Sequence, residues 1–521
     1  MRRSLLPVPG TLAAVLLLTT GGLGAQAGLP KDFDAYVGRA MKVFDVPGLS
    51  LAIVKDGKVV AAKGYGLKKM GQAGRVDENT LFSIGSTTKA FTAALLATLV
   101  DEGKIAWDDP VYQRLPGFQM YDPYVAHELS IRDLITHRSG MGMGEGDLLF
   151  IPTTTFTRED IVHRLRFMKP ATSFRSRYAY DNLLYIVAGQ VIERVTGKSW
   201  EANIRERIFQ PLGMTTSNLS IRDFKPGDNY AWGHAPLGGR LRPGDFISYD
   251  NVAPAGSINS SAAEMARWVQ LQLNRGRFVD REGRLFSAAA SREMWSAQTI
   301  MPLEEHEGPL AALDPKFKAY GLGWGLRDYH GRKLVTHTGG GIGFFCQVML
   351  VPEENLGMVV LTNSLTEARE AVIFRVLDAY FGLPQTDWIA PLKAEEDAAA
   401  KAAAEAMNAA GAARDASSHP SLPLHKYAGI YSDAWRGEAT LALENGKLVF
   451  SLDHAPAAVG DVEHWQYDTF KVTWRDRVIE DAFLTFSLDA DGNIDHMTMK
   501  AVSPLADFSF DYQDLWFIKR K

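Results

Sequence analysis

One cysteine, Cys346, occurs in 521 residues, so the chain can form no intrachain disulfide, no multi-cysteine zinc site and no Cys-x-x-Cys redox pair. Charge of one sign is also missing. Lys and Arg number 56 against 61 Asp and Glu, a net charge of -5, and no global field draws the protein toward nucleic acid or an anionic membrane. The strongly apolar run from Leu12 to Leu18 is broken by Thr19, Thr20, Gly21 and Gly22, short of the roughly 20 residues a membrane-spanning helix needs. Several cofactor motifs are incomplete. Gly197-Lys198-Ser199 ends like a phosphate-binding loop, but Ile192 stands where the first glycine is required. The glycines at 339–343 fit no dinucleotide fingerprint. Asp489-Ala490-Asp491-Gly492 is followed by Thr498 where a calcium loop has its bidentate Glu, and His306-Glu307 lacks the second His of a zinc-protease helix. No G-x-S-x-G elbow occurs. Neither a cofactor nor a metal is expected.

What is present is an ordinary globular composition, 46% hydrophobic, 10% aromatic and 22% charged, in a length that allows about two to four domains. Residues 1–27 begin with Arg2 and Arg3, continue through the apolar run and end in Ala25-Gln26-Ala27, the layout of a secretory signal peptide. A periplasmic or secreted protein, without stable membrane insertion once the leader is removed, is expected. From Ser50 to Gly66 two β-rich runs flank Asp56-Gly57, which predicts a hairpin. Ser86 to Gly103 carries Ala, Leu and Phe at helical spacing and predicts a buried helix capped at Gly103. Residues 130–275 read as helices joined by polar and Gly/Pro loops, notably Leu183 to Val195 ending at Gly197. From Tyr320 the pattern returns to strands, each pair with a glycine-containing turn. Strands at both ends with helices between predict one α/β domain over 28–392, whose sheet joins distant parts of the chain.

Residues 393–423 are dominated at first by Ala, Glu, Lys and Asp and end in Pro420 and Pro423, which predicts a helical or extended linker. The tail, 424–521, is rich in Tyr, Phe, Trp, Thr and Val, with Asn445-Gly446 and Asp491-Gly492 between alternating runs. It reads as a small all-β accessory domain, a candidate surface for homo-oligomerisation.

Chemistry concentrates at Ser86-Thr87-Thr88-Lys89. Residues i and i+3 share one helix face, so the Lys89 amine can reach the Ser86 hydroxyl. A hydroxyl needs such a base to become a nucleophile, and a lysine serves only when its pKa is depressed. Backbone N–H groups at the helix start add a positive dipole end for a developing oxyanion. Tyr180-Asp181-Asn182 opens a second helical pattern, and His337-Thr338-Gly339 lies in the glycine-rich strand end GRKLVTHTGGGIGF. This order of S-x-x-K, Y-x-N and H-x-G resembles the penicillin-recognising serine hydrolases: class C β-lactamases, DD-peptidases, D-aminopeptidases and β-lactamase-like carboxylesterases. LFSIGSTTKAFTAALLATLVDEGKIAWDDPV, LSIRDLITHRSGMG, FRSRYAYDNLLYIVAGQVIERVTGKSW, PAGSINSSAAEMARW and YGLGWG extend the likeness over residues 33–385.

The resemblance implies an antiparallel sheet flanked by helices plus an all-helical subdomain, followed by a small barrel-like domain. It implies that Ser86 attacks a carbonyl and forms an acyl-enzyme, that Lys89 and Tyr180 share the proton relay, and that Asn182 donates to the substrate. His337, Thr338 and Gly339 would line the opposite wall. The backbone N–H groups of Ser86 and Gly340 would form the oxyanion hole. His337 stands where β-lactamases usually carry Lys, and a mostly neutral ring offers less fixed charge to a β-lactam carboxylate. Three readings follow: hydrolysis of an amide in a peptide-like or β-lactam substrate, ester hydrolysis by the same chemistry, or a binding module on the same fold. The expected partner is a small molecule or short peptide. Cys346 is expected to be a buried small hydrophobe.

Overall fold

Leu49, Leu51 and Ile53 alternate with Ser50, Ala52 and Val54 along the strand β1 (Gly48–Lys55), and all six are buried. A strand apolar on both faces has to be covered on both. One face packs on helix α1 (Phe33–Val43) and a C-terminal helix of the same domain; the other packs on a second helical layer. The computed structural model describes residues 28–237, 240–244 and 247–520, and the leader expected over 1–27 lies outside them. Among the described residues no helix is long and apolar enough to cross a membrane.

Strand β2 (Lys58–Gly66) returns through Asp56 (φ 52°) and Gly57 (φ 76°), the pair of left-handed residues that a two-residue hairpin turn requires. The other strands of the sheet come from the far end of the domain: β3 (Thr299–Ile300), β4 (Lys318–Tyr320), β5 (Gly325–Tyr329), β6 (Arg332–Gly341), β7 (Phe344–Val351) and β8 (Leu356–Thr362). Their order is β2-β1-β8-β7-β6-β5-β4-β3, antiparallel throughout, with Leu49 opposite Thr362 where the two ends meet. One turn differs from expectation. Asn355 (φ 42°), not a glycine, closes the turn between β7 and β8. Gly357 lies inside β8, where a Cβ would come within 2.6 Å of Val269.

Between β2 and β3 lies the helical subdomain, with α2 (Thr88–Asp101), α3 (Leu183–Thr196) and α4 (Ala262–Leu273) as its long members. From Thr88 to Leu99 every residue of α2 is buried, which identifies a core helix covered on all sides. Its first turn is pressed against β6. Gly85 adopts φ +48°, and a Cβ there would meet the Gly340 carbonyl oxygen at 2.6 Å; a Cβ on Gly339 would meet the Ile84 oxygen at 1.8 Å. Two glycines are therefore what allow the strand to run beside the turn that carries Ser86.

After α5 (Ala368–Phe381) the chain enters α6 (Ile389–Ala413). The linker region is thus helical as far as Ala413, and the helix begins within the α/β domain's expected span, where Ile389 and Leu392 pack into the second core cluster. Strands β9 (Gly429–Asp433), β10 (Gly437–Glu444), β11 (Lys447–Leu452), β12 (Val459–Gln466), β13 (Thr469–Trp474), β14 (Ala482–Leu488), β15 (Ile494–Ala501) and β16 (Trp516–Lys519) close into an antiparallel barrel. Tyr431, Phe450, Trp474 and Phe517 are among the buried side chains that fill it. The connection 502–515 leaves the barrel and folds onto the helical subdomain.

Replacing Gly339 by alanine is expected to force strand and turn apart. We expect a loss of about 1–3 kcal/mol of stability in thermal or urea unfolding, together with loss of any reactivity at Ser86. Normal reactivity and stability in Gly339→Ala would refute this close approach.

Candidate functional site

Ser86 sits in the single 3-10 turn Gly85–Thr87 ahead of α2, so Lys89 follows one turn later on the buried face. The Lys89 amine lies 3.0 Å from Ser86 Oγ, 2.7 Å from Asn182 Oδ1 and 3.1 Å from the Ala255 carbonyl oxygen. A neutral amine has two hydrogens and one lone pair. Asn182 and Ala255 can take the hydrogens, leaving the lone pair to accept the Ser86 proton. Burial removes water from the amine and lowers its pKa to about 7, against the opposing pull of Asp147 and Asp181. The amine also lies 4.7 Å from the centre of the Tyr180 ring.

The Tyr180 hydroxyl lies beside that of Ser86, and burial raises the phenol well above its ordinary value. It is a protonated phenol at neutral pH, able to donate a proton rather than to act as a standing base. His137, in left-handed backbone (φ 55°), places its ring 4.3 Å from that of Tyr180 and accepts the Asp181 N–H on Nδ1 at 3.2 Å. Asn182 precedes α3 and uses both ends of its amide: Oδ1 accepts from Lys89, and Nδ2 donates to Asp147 Oδ2 at 2.8 Å. One amide hydrogen remains for a substrate.

His337, Thr338, Gly339 and Gly340 all lie on β6. Thr338 and Gly340 are exposed at its edge, and Gly339 is buried against Ile84. His337 differs from a substrate contact. Its Nε2 accepts from the Tyr320 hydroxyl at 2.8 Å and its Nδ1 donates to the Thr338 carbonyl at 2.6 Å. Burial, with Lys89 nearby, lowers its pKa to about 3. Both nitrogens are engaged within the protein, so the ring shapes the wall and carries no charge. Cys346 is fully buried, and its Sγ accepts the Thr87 hydroxyl at 3.5 Å.

Several site residues had no sequence signal. Asp147 anchors Asn182 and is completely buried, which pushes its carboxyl up to about 8. Ser509 donates to the same Asp147 oxygen at 2.8 Å. Asp511 accepts the N–H groups of Gly146 (2.6 Å) and Leu148 (3.1 Å). The Phe508 ring meets Tyr180 edge-on at 5.8 Å. All three of these partners come from the barrel connection, more than three hundred residues along the chain, a distance no local pattern spans. Among the described residues no cluster of His, Cys, Asp and Glu is arranged to hold a metal ion.

Residues 33–381 match the β-lactamase family, and the chain belongs to it; it is a β-lactamase-family hydrolase with an eight-stranded barrel appended. Residues 413–519 match a domain of unknown function, DUF3471. The chain is 32% identical over 449 residues to unguisins hydrolase ungD' of Aspergillus campestris, covering 81% of this chain and 80% of that protein. It is 28% identical to penicillin-binding protein 4 of Amycolatopsis lactamdurans, over 61% of this chain and 81% of the relative. Its fold is shared with the octameric penicillin-binding protein homologue of Pyrococcus abyssi (TM-score 0.60, 22% identity, 94% of this chain and 99% of that one). It is also shared with a D-stereospecific amidohydrolase from Streptomyces (TM-score 0.53, 21% identity, 67% and 98%).

Because Lys89 must be neutral to accept a proton, reactivity at Ser86 is expected to fall as the pH drops below the amine's value of about 7. The decline should approach about tenfold per pH unit, read as the rate of modification by a fluorophosphonate. A flat profile through this range would remove Lys89 as the base.

Proposed function

We propose that this protein is an exported serine hydrolase that forms an acyl-enzyme on Ser86 and cleaves an amide bond in a peptide-like small molecule. The observation that carries the reading is the Lys89 amine, 3.0 Å from Ser86 Oγ and deprived of water by burial. The Ser86 O–H bond breaks, its proton passes to Lys89 Nζ, and Oγ bonds to the carbonyl carbon. The carbonyl electron pair moves onto oxygen, which the backbone N–H groups of Ser86 and Gly340 would stabilise. Collapse of this intermediate releases the amine, which takes a proton from the Tyr180 phenol; the phenol is restored from Lys89. Water then attacks the acyl carbon and gives up a proton to the relay; the bond from that carbon to Ser86 Oγ breaks, Oγ takes the proton back, and the carboxylic acid leaves.

The neutral, internally bonded His337 favours an uncharged amide over a β-lactam, whose carboxylate would find no cation in this ring. The names of the similar proteins, a hydrolase of unguisins and a D-stereospecific amidohydrolase, support hydrolysis, the second of them of an amide. An ester of the same acyl group would pass through the same intermediate.

Treatment with a labelled fluorophosphonate is expected to leave one covalent adduct, seen by mass spectrometry and absent in Ser86→Ala; an adduct that persists in the variant would refute the nucleophile. Lys89→Ala and Tyr180→Phe should each slow acylation by about 10² to 10⁴. Across nitrocefin, short p-nitrophenyl esters and D-amino-acid amides, the amides should give the highest kcat/KM, and a preference for nitrocefin would overturn the amide reading. Export predicts a mature N-terminus at Gly28, after Ala27; N-terminal sequencing that finds Met1 retained would argue against it.

A further inference from the structure

Asp147 is held from two sides through one oxygen. Its Oδ2 accepts the Asn182 amide and the Ser509 hydroxyl, each at 2.8 Å, while Oδ1 is buried without a partner. Asp511 then clasps the backbone on either side of Asp147, through the Gly146 and Leu148 N–H groups. Phe508 completes the clasp. A Cβ on Gly144 would lie 2.6 Å from its ring, and the Gly144 N–H donates to the Tyr180 carbonyl at 2.8 Å. Residues 508–511 therefore grip the 144–148 turn at its backbone, at its carboxylate and beside the Tyr180 phenol.

We propose that Ser509 is a positioning residue: by fixing the Asp147 carboxylate it fixes Asn182, and through Asn182 the Lys89 amine aimed at Ser86, so that docking of the barrel completes the active site. This assigns a role to the segment that matches a domain of unknown function. It rests on the acyl-enzyme reading above.

The hydroxyl of Ser509 favours the charged form of Asp147. Asp147, held up to about 8, keeps its proton through the range in which Lys89 titrates at about 7, so loss of the Ser509 bond acts on the placing of Asn182 and Lys89 and leaves the acidic limb where it is. Other ionisable groups face this chain of bonds. Asp181 faces Lys89, His137 and His337 both lie near the amine, and Tyr180 faces Asp147. Asp507 also faces Asp147, Asp514 faces Asp511, and Glu145 faces Asp181 and Asp514. None of these is altered by substituting Ser509, so a lowered plateau reports on the Asp147 bond.

The test is the pH profile of fluorophosphonate modification in the full-length chain. In Ser509→Ala the plateau should fall about 2- to 30-fold with the acidic limb unmoved, while Ser509→Thr, which keeps the hydroxyl, should restore the plateau. Should Ser509→Ala fail to fold, the near-isosteric Ser509→Cys, a weak donor, is expected to show the same lowered plateau. A plateau that stays at the wild-type level in the folded variant, or a fall that Ser509→Thr does not reverse, overturns the inference, even where the melting temperature drops. Wild-type protein that forms no adduct overturns the acyl-enzyme reading instead, so the two failures are separable.

Discussion

The site depends on one constraint: an amine buried on a helix that has no solvent-facing side. Because α2 is covered on every side from Thr88 to Leu99, Lys89 cannot extend to water. It must find acceptors inside, and Asn182 and Ala255 are the two that it finds. With two acceptors and one hydroxyl around it, the neutral amine is fully satisfied and the charged one is poorly hydrated. Desolvation and hydrogen-bond counting thus favour the same protonation state. That state leaves the lone pair directed at Ser86.

Holding this arrangement opposes folding. Keeping an amine of ordinary value 10.5 at about 7 costs about 5 kcal/mol near neutral pH, and two buried carboxyls, Asp147 and Asp511, add to the burden. Packing offsets it. Phe91 stacks on Trp268 at 3.8 Å within the same helical layer, and Trp200 donates to Thr92, which in turn donates to the Pro254 carbonyl. The core that surrounds the amine is therefore what makes its depressed basicity affordable.

How far the sequence announces this depends on the range of each contact. The three-residue spacing of Ser86 and Lys89 is local, so chain geometry alone pairs them. The hairpin at Asp56-Gly57 and the barrel turn at Asn445-Gly446 are likewise local, and both adopt the left-handed backbone that their residue types favour. Asn355 and Gly357 show where local reading fails. Either could close a turn, and the choice was made by Val269 of α4, which needs the space at Gly357. The His337 ring is a failure of another kind. A motif gives its place on β6 and not the Tyr320 hydroxyl that turns it inward.

The barrel contributes least to what can be read locally and most to the environment of Asp147. A carboxyl in this position needs donors and exclusion of water, and the 144–148 turn supplies neither by itself. Gly146 and Leu148 present N–H groups with no acceptor on their own element, and Asp511 provides both acceptors. Ser509 adds the donor that Asn182 alone cannot replace. Pairing a backbone donor with a carboxylate from a second domain satisfies buried groups on both sides at once, which ties the docking of the two domains to the polar chemistry beside Lys89 rather than to apolar contact alone. The α/β domain and the barrel are thus joined through buried polar groups, although 362 to 365 residues separate the partners.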